Sequence, residues 1–75
     1  MARYGNLGGD SAVVAYEIEI DSIIVQFNTG ATYLYNYVSA GAVNIEQMKS
    51  LAIAGQGLNS FISRIVKKQY ARKLR

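Results

Sequence analysis

The chain has 75 residues and a formal net charge of +3, and it contains no cysteine, histidine, proline or tryptophan. A domain of this size buries only about 60–65% of the surface its unfolded chain exposes, and disulfides and the usual zinc sites are excluded as reinforcement. Hydrophobic residues make up 51% of the chain, which argues against general disorder, and no apolar run approaches the length of a membrane span.

Residues 1–10, "MARYGNLGGD", carry three glycines and little apolar anchoring. They lack the h-region of a secretory signal, so the expectation is a flexible arm followed by one domain over 11–75, in a cytoplasmic setting. From Val13 the pattern has a period close to two. Tyr16, Ile18 and Ile20 share one face, and Ala15, Glu17, Glu19 and Asp21 the other. A two-residue turn at Asp21-Ser22 would set Ile20 opposite Ile23, Ile18 opposite Val25 and Tyr16 opposite Phe27.

The next turn is Asn28-Thr29-Gly30, and it decides what the tyrosines of "GATYLYNYV" are for. A three-residue loop with Gly30 left-handed pairs Val25 with Tyr33 and Ile23 with Tyr35, which puts both rings in the core. A two-residue Thr29-Gly30 turn shifts the pairing by one and puts them on the outer face, where rings can stack nucleotide bases. We favour the three-residue loop. Tyr37, at the strand end, is the best placed of the three for partial exposure.

After Gly41 the period changes. "NIEQMKSLAIAG" predicts a helix capped by Asn44, with Gln47 close to a capping box, Met48, Leu51 and Ala52 on one face, and Gly55 as the stop. "GLNSFISRIVKKQYARKLR" predicts a second helix capped by Asn59 or Ser60. Leu58, Phe61, Ile62, Ile65, Val66, Tyr70 and Leu74 form its core stripe. Strands followed by helices define the fold class as α+β: a three-stranded antiparallel meander packed against two C-terminal helices.

The charges are segregated. All five acids, Asp10, Glu17, Glu19, Asp21 and Glu46, precede residue 47, whereas Arg64, Lys67, Lys68, Arg72, Lys73 and Arg75 fall within the last twelve residues. On the predicted second helix Arg64, Lys67, Lys68, Arg72 and Arg75 step round the face opposite its apolar stripe, a pattern suited to phosphate backbones. The plain alternatives are a solvated face that complements the helix dipole, or a contact with an acidic protein or anionic lipid. Glu17, Glu19 and Asp21, about 7 Å apart per step on one strand, are a poor metal cage. Gly55-x-Gly57 lacks the ending of a phosphate loop and suits a turn between helices. With no His or Cys there is no conventional nucleophile–base pair, so no catalytic residue, cofactor or metal is expected.

The order of Ser11, Tyr16, "IIVQFNTGATYLY", an Ala-Gly-rich helix end and "FISRIVKKQY" resembles the KTSC domain. That small bacterial domain is named after the C-terminal extension of some lysyl-tRNA synthetases. Tyr33-Leu34-Tyr35 behind Phe27 and Gly30 matches its Tyr-x-Tyr motif, and Arg64, Lys67, Lys68 and Tyr70 match its basic segment. The resemblance spans residues 11–74. It departs at Val38-Ser39, where the family often has Val-Pro, and at Ile62-Ser63, where it has Phe-Asn. RNA binding has been suggested for the family, so the resemblance implies a non-enzymatic module for RNA such as tRNA. Arg64, Lys67, Lys68, Arg72, Lys73 and Arg75 would meet phosphates, with Tyr37 and Tyr35 adding edge contacts. The competing expectation is a protein-interaction or homodimerisation module.

Overall fold

The computed structural model describes residues 1–7 and 12–75. Five antiparallel strands form one sheet in sequence order: β1 (Ala2–Arg3), β2 (Val13–Ile18), β3 (Ser22–Phe27), β4 (Thr32–Asn36) and β5 (Arg72–Lys73). The chain is thus an α+β domain. The expected meander, β2–β3–β4, is its centre, and a two-residue strand closes each edge. Three helices follow β4: α1 (Tyr37–Ala40), α2 (Ala42–Ala54) and α3 (Leu58–Phe61), the last running into a π-helical turn at Ile62–Val66.

The β3–β4 connection takes the three-residue form. Phe27 N–H donates to Ala31 O at 2.8 Å, Gly30 N–H donates to Phe27 O at 2.9 Å, and Gly30 has φ +92°. Val25 therefore faces Tyr33 and Ile23 faces Tyr35, as the loop chemistry predicts. The β2–β3 connection differs. Ile18, not Ile20, faces Ile23, and Tyr16 faces Val25. The turn is the four residues 19–22, closed by Glu19 N–H donating to Ser22 O at 3.0 Å and by Ser22 Oγ donating to Glu19 Oε1 at 2.9 Å. The register slips by two, an even number, so the apolar face survives while Ile20 is left 93% exposed. A β-bulge at residues 13–15 then turns Val13 inward opposite Phe27.

Ile23, Val25 and Tyr35 from the sheet meet Ile45, Met48 and Ala52 from α2, and Leu58, Ile62 and Val66 from the last helical segment. The helices cover one face of the sheet. Asn36 caps α1 in a capping box with Ser39, accepting from Ser39 N–H at 2.8 Å while Asn36 N–H donates to Ser39 Oγ at 3.1 Å. Asn44 is accordingly not the cap of α2. It lies inside that helix and donates to Ala40 O at 2.8 Å, because α2 begins two residues earlier, after Gly41. Gly55 ends α2 in the left-handed conformation, as expected.

Two expectations about the termini are overturned. Residues 2–7 are docked rather than free. Tyr4 is 3% exposed, its hydroxyl accepts from Leu58 N–H at 3.2 Å, and Leu7 N–H donates to Gly55 O at 2.7 Å. A single buried aromatic supplies the anchoring that composition hides; Gly8, Gly9 and Asp10 lie outside the described residues. The second helix does not reach Leu74. Lys67 N–H bonds back to Ile62 O at 2.6 Å, and Lys67 takes φ +48° and ψ −114°, so the chain reverses. Ala71–Arg75 then lies along β4, with Ala71 N–H donating to Leu34 O at 2.6 Å and Leu74 N–H to Thr32 O at 2.7 Å. Satisfying the open edge of β4 replaces helical bonds with sheet bonds. Leu74 is left 42% exposed instead of joining the core.

Candidate nucleic-acid interface

The expected single basic helix is replaced by three settings: a π-helical turn, the reversal after it, and the segment that runs along β4. Arg64 stands on the π-helical turn, Lys67 ends it, and Lys68 follows in the reversing turn. Arg72 and Lys73 form β5, and Arg75 comes next, tied to Thr32 by backbone bonds in both directions at 3.2 and 3.3 Å. All six side chains are exposed. Cross-strand partners point to the same side of a sheet, so Arg72, opposite Leu34, belongs to the face turned away from the helices. Lys73, opposite Tyr33, belongs to the helix side, and its Nζ lies 5.9 Å from the Tyr33 ring centroid.

None of these six bases is in an ion pair among the described residues, where Lys49–Glu46 at 2.9 Å is the ion pair found. The fixed parts of this edge are apolar or backbone. Tyr70 packs on Tyr33 with ring centroids 4.5 Å apart and meets Tyr35 edge-on at 6.2 Å. Chemically, this segment offers guanidinium forks and ammonium groups with no carboxylate paired to them among the described residues.

The tyrosines take other roles. Tyr35 is 2% exposed, and burial, followed by its neighbours Tyr33 and Tyr70, pushes its hydroxyl up to about 12; it is core and offers no face to a base. Tyr33 is occupied by Tyr70 on one side and by Phe27, edge-on at 5.8 Å, on another. Tyr37 is the first residue of α1 rather than the end of a strand. Its hydroxyl donates to Glu46 Oε2 at 2.6 Å and is pushed up by that bond, and Lys49 Nζ lies 5.7 Å from its ring centroid. The same bond, then the one from Lys49, holds the Glu46 carboxyl below its usual range.

Arg72, Lys73 and Arg75 lie along β4, and Arg64, Lys67 and Lys68 lie on the helical turn and the reversal that precede them; Tyr35 is core, and Tyr37 is bonded to Glu46. Gly55 and Gly57, at φ +76° and +85°, make the turn between α2 and α3. One base was not legible as part of a surface. Arg3 sits on β1, opposite Ala15, on the face turned away from the helices. Its signal in the sequence was the neighbouring Tyr4: a core aromatic on a short strand turns the preceding residue outward.

No protein-family model matches the chain, and neither does any curated protein or solved structure. The resemblance to the KTSC domain accordingly rests on the order of its motifs alone. Among the described residues, no helix is long and apolar enough to cross a membrane.

Proposed function

We propose that the chain is a non-enzymatic, KTSC-like cytoplasmic module that holds nucleic acid, with RNA such as tRNA as the first candidate, by its phosphate backbone. The observation that carries this reading is the unpaired positive edge: six exposed bases between Arg64 and Arg75, none in an ion pair among the described residues. A polyanion is the partner that rewards the concentration of such charge in one segment of the surface. Recognition is by charge and shape, since the tyrosine rings that could have read bases are enclosed or engaged elsewhere.

The test is titration of the purified protein into labelled tRNA and oligouridylate at several salt concentrations. About four phosphate contacts on single-stranded RNA give a slope of log K against log salt near −3, at roughly −0.7 per contact. A Lys67→Ala/Lys68→Ala/Arg72→Ala variant should keep the fold and lose affinity for tRNA. A salt-insensitive interaction, or affinity no greater than that of a generic cationic control, would remove the reading.

A second reading, self-association, is favoured by one observation. Val38, Val43 and Ile53 are 95%, 84% and 70% exposed on the outer side of α1 and α2, so α2 is apolar on both sides, as buried helices are. Sedimentation across a concentration series decides it; a monomer at every concentration sets it aside.

A further inference from the structure

We propose that a single strand of nucleic acid lies across the sheet face turned away from the helices, from Arg3 on β1, past Gln26 on β3, to Arg75 just beyond β5, where Lys73 joins the lining from the helix side. The proposal rests on the nucleic-acid reading above and adds to it a path, a binding face and three residues outside the basic C-terminal segment: Arg3, Gln26 and Thr29.

Two surface hollows carry it. One is lined by Arg3, Asn6, Ala15 and Gln26 among others. The second is lined by Gln26, Thr29, Gly30, Ala31, Lys73 and Arg75. Gln26 belongs to both, so the hollows are halves of one groove that runs across the strands. The sheet register says the same independently. Arg3 pairs with Ala15, Ala15 with Gln26, and Gln26 with Thr32, and Thr32 is bonded to Arg75 through the backbone. These residues form one transverse row across β1 to β4 that ends at Arg75, two residues beyond β5.

Four strand spacings of about 4.8 Å make that row roughly 19 Å long. It has bases at both ends and small, uncharged residues, Ala15, Gly30 and Ala31, along its floor. A single strand of about four nucleotides, the lower end of the site sizes of single-strand modules, matches such a length. The occupant is chosen by charge. No acidic side chain lines either hollow among the described residues. Among the described residues, the nearest acidic side chain on this face, Glu17, pairs with Ile24 in the next row, about 7 Å along the strand. The Gln26 amide offers a donor and an acceptor to a base edge at the centre, and the Thr29 hydroxyl stands beside Lys73 and Arg75 at the β5 end.

The test uses the full chain with three probes: fluorescein-labelled oligouridylates of four and twelve nucleotides, and a blunt RNA duplex. Arg3→Ala should weaken the tetranucleotide roughly tenfold, the effect of losing one charge-assisted contact. Lys67→Ala/Lys68→Ala, outside the groove, should change it less than twofold while weakening the longer probe. Backbone amide shifts on binding should include Ala15 and Gln26. If Arg3→Ala leaves all affinities unchanged while Lys73→Ala/Arg75→Ala and Lys67→Ala/Lys68→Ala reduce them, the groove is overturned and the nucleic-acid reading stands. Tighter binding of the duplex than of the twelve-nucleotide strand also overturns the groove. No binding of any probe by the wild-type protein ends both.

Discussion

The two ends of the sheet hold their charges in opposite ways. At the β2–β3 end, Glu19 accepts from Ser22 Oγ at 2.9 Å. Close by, Lys49 reaches back from α2 to Ile20 O at 2.8 Å and to Glu46 at 2.9 Å, and Glu46 also holds the Tyr37 hydroxyl at 2.6 Å. Charge there is spent on internal contacts. At the β3–β4 end and its β5 edge, the fastening is done by uncharged groups. Tyr70 lies on Tyr33, and Ala71, Leu74 and Arg75 bond to β4 through the backbone. Apart from Lys73, whose Nζ lies 5.9 Å from the Tyr33 ring centroid, the charged groups of the bases at that edge take no part in the fastening among the described residues. A surface whose charge can be removed without loosening the fold is the kind that serves a partner, and the comparison stands or falls on that separation.

The largest expected effect comes from breaking the uncharged fastening itself. Tyr70→Ala removes a half-buried ring from against Tyr33 and Tyr35. Full truncation of a core aromatic costs about 3–5 kcal/mol, so this partly exposed one should cost roughly 2–3 kcal/mol, read from the denaturant midpoint. Hydrogen exchange at Ala71 and Leu74 should rise more than at Ile23 or Val25, since β5 depends on the ring and β3 does not. Lys67→Ala/Lys68→Ala should leave the midpoint within about 0.5 kcal/mol, as surface changes usually do. Equal losses in the two variants would erase the distinction between fastening and charge.

Next in size is a pH effect inside the same aromatic cluster. Burial raises the Tyr35 hydroxyl to about 12 in the folded protein, above the value near 10 of an unfolded tyrosine. The folded state therefore keeps the proton more tightly. The corresponding stability is fully present below about pH 10 and is lost as pH rises through about 12. Between those values, the wild-type midpoint in denaturant should fall with a steeper slope than that of Tyr35→Phe, which has no proton to lose there. Parallel slopes would mean that the hydroxyl reaches water and that Tyr35 is less enclosed than its neighbours suggest.

The same contrast explains how much was legible in the residues. The meander was, because Gly30 and the alternation of Val25, Phe27, Tyr33 and Tyr35 admit few registers, and they chose the core for the tyrosines. Ile20 misled, since a shift of two residues preserves every face and is invisible to a pattern of period two. The C-terminal segment misled more. Phe61, Ile62, Ile65, Val66, Tyr70 and Leu74 satisfy a helical stripe, yet the open edge of β4 offered backbone partners that no local pattern reports, and Lys67 could take the left-handed turn that reaches them. The bases were therefore legible as a cluster by their crowding in the chain, but their arrangement round an edge was not. Arg3 was missed because one buried tyrosine outweighed the glycines around it.

The smallest effect should come from the acidic end, and it sharpens the comparison by being small. Glu46 is held below its usual range by the Tyr37 hydroxyl first and Lys49 second. A carboxyl depressed on folding contributes stability that is present above its unfolded value and lost as pH falls through the folded one. In Glu46→Gln this acid-side dependence should flatten slightly, while the midpoint at pH 7 hardly moves, because these groups lie in water and their pairing is screened. Affinity for oligouridylate should stay as it was or rise modestly, since one negative charge has been removed far from the bases. A large loss of stability at pH 7 would show that the acidic end is a structural lock, not merely a place where charge has been internally satisfied. The free edge would then have to be explained by what it lacks instead of by what it binds.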